Sequence, residues 1–318
     1  VVLTQNGVRG SRGSLAERLC CWKGIAKMTD AYTTEIPAER AGTCLLIVDP
    51  QNDFHPGGSL AIPTANEDAV RIAKMIMDNL HEISEIFVTL DTHMQYHISH
   101  GLFWVDKDGK HPPPFTQITV NDVKGGVWMP TRKEPAVIDW CVEYLENLEA
   151  QGKFTHTIWP VHCQIGTTGH AVSPIISKAL DEWEREKVTT VQYVIKGNNS
   201  YTEHYSVFRA EVVRLGDPAT ALNSSLIERL RRHERVLVCG QAKSHCVNFT
   251  VRDLVNHWPT NRFQDICILE DASSSVPGFE KEGETFIKDM KHAGLKILNT
   301  STCFVKPKRG SRKNCGVV

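Results

Sequence analysis

The sequence predicts an α/β fold, a doubly wound and mostly parallel sheet with helices on both faces. Three observations carry this. Short apolar runs recur without polar alternation, amphipathic segments lie between them, and the polar residues with useful chemistry follow the ends of the runs. In chain order, residues 44–48, 86–90, 157–159, 191–195, 236–240 and 266–269 read as strands, with a seventh at 296–298. Runs rich in Val, Ile and Leu suit strands covered on both faces. Residues 66–80 repeat apolar side chains at helical spacing, and Glu67 and Asp68 suit a first helical turn. Residues 221–232, 245–257 and 279–292 also read as helices, the last stopping at Gly294. Alternation of strand and helix argues for a parallel sheet. Residues 100–135 interrupt the rhythm with Gly, Pro and aromatic residues. A loop of that length is usually functional or disordered, and its Phe and Trp content favours a packed insertion near the site.

The 318 residues divide into an N-terminal extension (1–40), a main domain (41–304) with the insertion at about 100–135, and a basic tail (305–318). Net charge is −1, so no global field points to nucleic acid or a membrane surface. No apolar run reaches the roughly 18–20 residues of a spanning helix. The ten cysteines form no CxxC pair, and several sit inside apolar runs. Free buried thiols in a reducing, cytoplasmic compartment are the expectation. Residues 1–27 read as sequence upstream of a start at Met28, or as the remnant of a basic targeting segment. The end, KPKRGSRKNCGVV, has the form of a lipidation box at Cys315 behind a polybasic run, although a solvated tail explains it as well.

Open α/β sheets bind ligands outside the carboxyl ends of their strands. Asp49 follows the first run, Asp91 and His93 the second, His162 and Cys163 the third, and Lys196 the fourth. Cys246 follows 236–240 after a short turn. Taken singly, an Asp after a strand is most often a cap, a histidine a bonded core residue, and a cysteine inert packing. Together they separate into two chemistries. Asp91, His93 and His162 form a metal-ligand set that would leave positions open for water or substrate. Asp49, Lys196 and Cys246 suit nucleophilic catalysis, with the thiol pKa lowered by a helix start and a cation.

These residues lie in stretches that resemble the isochorismatase-like cysteine hydrolases, nicotinamidases in particular. IVDPQNDFHPGGSL (47–60) resembles the family's opening motif, and TLDTHMQYHIS (89–99) its D-x-H metal motif with the downstream HIS. TIWPVHCQIGTTG (157–169) is similar to the W-P-x-H-C motif, VIKGNNSYTEHYSVF (194–208) to the lysine segment, and GQAKSHCV (240–247) to the nucleophile turn. The resemblance spans about 43–302. It implies Cys246 as nucleophile, Asp49 as general base and acid, and Lys196 holding the two in register. It implies one divalent metal on Asp91, His93 and His162, zinc foremost, with iron or manganese also compatible. It further implies a cis peptide at Gln241–Ala242, with the amides of Ala242 and Cys246 forming an oxyanion hole. Phe54 would wall the ring of a small aromatic amide, with Trp104 as the second wall. A homo-oligomer without nucleic-acid or transmembrane partners completes the expectation.

Rival readings are an amidase for another heteroaromatic or ureido amide, an isochorismatase, and a non-catalytic scaffold of the same fold. Cysteine and lysine together disfavour the second. Lys243 and His245, in the nucleophile turn, read either as exposed helix-start residues or as contacts to a larger or acidic substrate.

Overall fold

The computed structural model describes residue 40, residues 42–152 and residues 154–304, all within the unit that begins at Arg40. The expectations for Met28, the N-terminal extension up to residue 39, and the tail with Cys315 lie outside the described residues.

Strands and helices are numbered along the chain. Six strands form one parallel sheet: β1 (Thr43–Val48), β2 (Ile83–Asp91), β7 (Gln192–Lys196), β8 (Arg235–Gly240), β9 (Ile266–Leu269) and β10 (Lys296–Leu298). Their spatial order is β10-β9-β8-β1-β2-β7, and every neighbouring pair is parallel. Successive side chains of a strand point to opposite faces. In β1, Cys44, Leu46 and Val48 therefore enter one core, and Leu45 and Ile47 the other. The first core is closed by α5 (Ser224–Arg231), α6 (Cys246–Asn256) and α7 (Glu280–Ala293). The second is closed by α1 (Ala65–Asp78) and α4 (Pro174–Lys187). Cover on both faces is why β1 is apolar from Cys44 to Val48 and wholly buried. At the sheet edge, β7 instead leaves Tyr193 and Ile195 about half exposed.

The chain builds the sheet from β1 through β2 to β7 in one direction, then crosses back to β8 and continues through β9 to β10. The reversal lies between β1 and β8, the kind of crevice where such sheets bind ligands.

Two expectations need correction. Residues 157–159 are not a strand of the main sheet. The short β6 (His156–Thr157) pairs antiparallel with β4 (Gln117–Ile118), so the insertion supplies its partner. The insertion itself is folded. It contributes β3 (Trp104–Val105), β4, α2 (Val120–Lys124) and β5 (Met129–Pro130), and it packs on α3 (Pro135–Ala150). Phe103, Trp104, Ile118, Tyr144, Leu145 and Leu148 form its separate core. Trp104 is fully buried there and donates its indole N–H to Ile98 O at 2.6 Å, so it does not wall the candidate pocket.

Candidate active site

The carboxyl ends of β1, β2, β7 and β8 bring the expected residues to one place. Asp49 ends β1, Asp91 closes β2, Lys196 closes β7, and Cys246 opens α6 after β8. Two glycines permit this convergence. A side chain at Gly240 would meet Val48 O at 2.1 Å. One at Gly197 would meet Asp91 Oδ1 at 2.8 Å, and its φ of +79° is a region that L side chains rarely adopt.

Lys196 Nζ is the centre of one half of the cluster. It lies 2.9 Å from Asp49 Oδ2 and 2.9 Å from Asp91 Oδ1. It also donates to His204 O at 2.9 Å and reaches Cys246 Sγ at 3.5 Å. Asp49 is held from β2: its N–H donates to Thr89 Oγ1 at 3.0 Å, and the Thr89 hydroxyl donates to Asp49 Oδ1. Burial would pull the Lys196 ammonium down, but Asp49, Asp91 and Cys246 outweigh it and hold the pKa well above the usual value. Burial raises Asp49, aided by Asp91 and opposed by Lys196. Burial also pushes the Cys246 thiol well up, with Lys196 pulling the other way. The sequence expectation of an exposed, low-pKa thiol is therefore corrected. Cys246 is 6% exposed, and desolvation outweighs the cation in the resting site.

The other half is a group of histidines. His93 Nδ1 lies 3.2 Å from Gly197 O, His100 Nδ1 3.2 Å from Met94 O, and His162 Nδ1 2.8 Å from Pro160 O. A carbonyl only accepts, so each of these Nδ1 atoms carries a proton. In a neutral ring the Nε2 lone pair is then free, the arrangement that orients metal-bound imidazoles. Candidate ligand atoms of His93, His100 and His162 all lie within 4.8 Å of one another. His100 Nε2 is buried and has no hydrogen-bond partner. Asp91 Oδ2 faces His93 Nε2 at 3.0 Å and His162 Nε2 at 3.3 Å. A carboxylate facing imidazole nitrogens at that range requires a cation among them, either a proton or a metal. Burial works against an imidazolium at His93, but Asp91 reverses the sign and raises its pKa. Thus the described residues fit a divalent cation.

His97, from the HIS of the D-x-H stretch, differs. Ser99 N–H donates to its Nδ1 at 3.2 Å, and burial followed by His93 and His100 keeps the ring neutral. Its proton is then on Nε2, so it presents a donor where a metal needs a lone pair. His100, which sequence reasoning did not single out, takes the place beside His93 and His162.

Between the two halves lies a small cavity. Phe54, Leu60, Trp159 and Tyr205 give it apolar walls, with Cys246 on one side and His162 on the other. Trp159 takes the role expected of Trp104, and its indole donates to Tyr205 OH at 3.0 Å. Its place in the W-P-x-H-C stretch, three residues before His162, was the available signal. Glu203 also lines the cavity; Ser99 Oγ and His204 N–H donate to its carboxylate. His245 is a buried wall rather than an exposed helix-start residue, and burial lowers its pKa to about 4. Lys243 does not line this cavity. The Gln241–Ala242 peptide bond is cis.

No protein-family profile matches the chain. A nicotinamidase of Escherichia coli (strain K12) is 27% identical over 212 residues, covering 66% of this chain and 74% of the relative. Among solved structures, a nicotinamidase/pyrazinamidase of Acinetobacter baumanii superposes with a TM-score of 0.56 at 21% identity, covering 82% of this chain and 97% of that one. A yeast nicotinamidase bound to the inhibitor nicotinaldehyde gives a TM-score of 0.57 at 20% identity, covering 81% and 99%. At this identity the likeness shows a shared fold.

Proposed function

We propose that this chain, which belongs with the isochorismatase-like nicotinamidases, hydrolyses nicotinamide to nicotinate and ammonia through a thioester on Cys246. The observation that carries this reading is Lys196 Nζ, within 2.9 Å of Asp49 and 3.5 Å of Cys246, beside a small cavity that Cys246 lines together with Phe54 and Trp159. Phe54 and Trp159 offer aromatic walls to a heteroaromatic ring.

Asp91, His93, His100 and His162 would hold a divalent cation, with zinc as the proposed ion. When bound, it would take the ring nitrogen of the substrate as a ligand and so fix the ring. The chain's own residues do the rest. The raised pKa of Asp49 makes it a fair base for a thiol that is itself hard to ionise. As Asp49 takes the thiol proton, Cys246 Sγ attacks the carboxamide carbon. Lys196 offsets the negative charge in transit, and the N–H groups of Ala242 and Cys246 receive the carbonyl oxygen as it becomes anionic. The C–N bond breaks, Asp49 returns the proton to nitrogen, and ammonia leaves. Asp49 then takes a proton from water, whose oxygen attacks the thioester. Nicotinate leaves and the thiol is restored.

The test is ammonia release from nicotinamide by the purified, metal-loaded chain, with Cys246→Ala as control and metal content measured on both. Release that vanishes in the variant supports the reading. No release from a metal-loaded wild type would remove nicotinamide as the substrate.

A further inference from the structure

The turn that presents the Ala242 amide is fastened from behind by side chains that do not line the cavity. Gln241 is 2% exposed. Its amide nitrogen donates to Asp68 Oδ2 on α1 at 2.9 Å. Its amide oxygen accepts from Ser274 N–H at 3.3 Å. On the other side of Ala242, Lys243 N–H donates to Ser274 O at 2.8 Å. Both neighbours of Ala242 are therefore tied to Ser274, and one is tied to α1 as well. The Gln241 backbone N–H adds a bond of 2.8 Å to Val48 O on β1. Asp68 is itself 1% exposed and is held by Arg71 Nη2 at 2.6 Å. Arg71 Nε in turn donates to Asp271 O, just before the segment that carries Ser274.

A buried carboxylate and a buried carboxamide are costly unless each is paired. An apolar side chain at 241 could fill the same space without that demand. The amide instead spends both of its ends joining α1 to the segment after β9, and the turn between them is fixed in position. Asp68 and Gln241 are not among the residues that line the substrate cavity, so they do not bind the ground state directly.

We propose that the Asp68–Gln241 pair is a positioning device for the oxyanion hole, acting through the Ala242 amide and braced by Arg71. The inference rests on the hydrolase reading above. Donors of an oxyanion hole act on charge that develops only in the tetrahedral species, and small displacements are felt there first.

Gln241→Met keeps the length of the side chain and removes both hydrogen bonds. In the full, metal-loaded chain it should lower kcat by about 10- to 100-fold and leave KM within about twofold. Affinity for nicotinaldehyde, whose aldehyde carbon would become tetrahedral on addition of the thiol, should fall by a similar factor, while nicotinate affinity holds. Arg71→Met, at the exposed end of the chain of contacts, should show the same signature at about threefold. If Gln241→Met does not fold, the Arg71 variant carries the test. Unchanged kcat and aldehyde affinity in a folded variant would overturn the proposal, as would a parallel loss of nicotinate affinity. A wild type that releases no ammonia but forms the aldehyde adduct would sink the substrate reading alone. Protection of Cys246 from alkylation by the aldehyde would then report the same comparison between wild type and variants.

Discussion

Lys196 and His100 are both buried polar residues close to the end of β2, yet their bonding capacity is spent differently. The Lys196 ammonium is surrounded by two carboxylates, a carbonyl and the thiol. Each charge in that half has an opposite charge at contact distance. His100 uses one nitrogen on Met94 O and leaves the other without a partner. The first half pairs its charges within the protein. The second is complete only with a cation. On the proposed reading, the difference separates groups that would react from groups that would hold.

The largest effects should come from breaking the first half. Cys246→Ala should reduce turnover by at least about 10⁴-fold with fold and metal retained; full activity in the variant would end the mechanism. Lys196→Met should abolish turnover and also destabilise the fold by about 3–5 kcal/mol, because Asp49 and Asp91 lose their buried counter-charge. Denaturant unfolding of metal-loaded protein measures this, and an unchanged midpoint would contradict it.

The incomplete half should answer to metal instead. His100→Ala should weaken metal affinity by about 10- to 100-fold, and His97→Ala by less. Competition with a chelator dye reads both, and the reverse order would show that the tautomers are assigned the wrong way round.

A smaller effect sharpens the comparison by pH. His156, His204 and His245 are lowered to about 4 and His100 to about 2, mainly by burial. His97 is lowered as well. In the unfolded chain these groups take up protons as pH falls through the ordinary value of 6.5, while the folded protein refuses them. Their contribution to stability is therefore present above pH 6.5 and is lost as pH falls from 6.5 through about 4, and further down for His100 and His97. His93, raised by Asp91, acts in the opposite direction, one group against these five and against His55, His170 and His233, which burial also lowers. The Tm of chelator-treated protein should fall across that window; a flat or rising Tm from pH 7 to 5 would refute the balance.

The smallest effect is expected in the insertion. Trp104→Phe should cost about 1–3 kcal/mol from the lost indole bond to Ile98 O and the lost packing, with KM unchanged. A large change in KM would return Trp104 to the pocket.

Much of the fold was legible because it rests on local pattern. The strands at 44–48, 236–240 and 266–269 are doubly covered, so their apolar runs are unbroken and nearly match the observed bounds. The helix α4 is legible in the same way, with Pro174 at its start and Ile176, Ala179, Leu180 and Trp183 at helical spacing. The run at 157–159 misled because its partner, β4, lies in the insertion, and pairing is not written in one strand alone.

For the site, the sequence by itself determined which residue types follow which strands, since a parallel sheet must deliver Asp49, Asp91, Lys196 and Cys246 to one edge. Only the tertiary structure decided among equals. Trp104 and Trp159 are the same side chain in sequence, but one is enclosed by the insertion core and the other faces the cavity. His97 and His100 stand three residues apart, and a backbone N–H at one and a carbonyl at the other set opposite tautomers. The thiol's ionisation was likewise decided by burial. Desolvation and hydrogen-bond direction depend on what distant segments place around a group, and no local spacing encodes that.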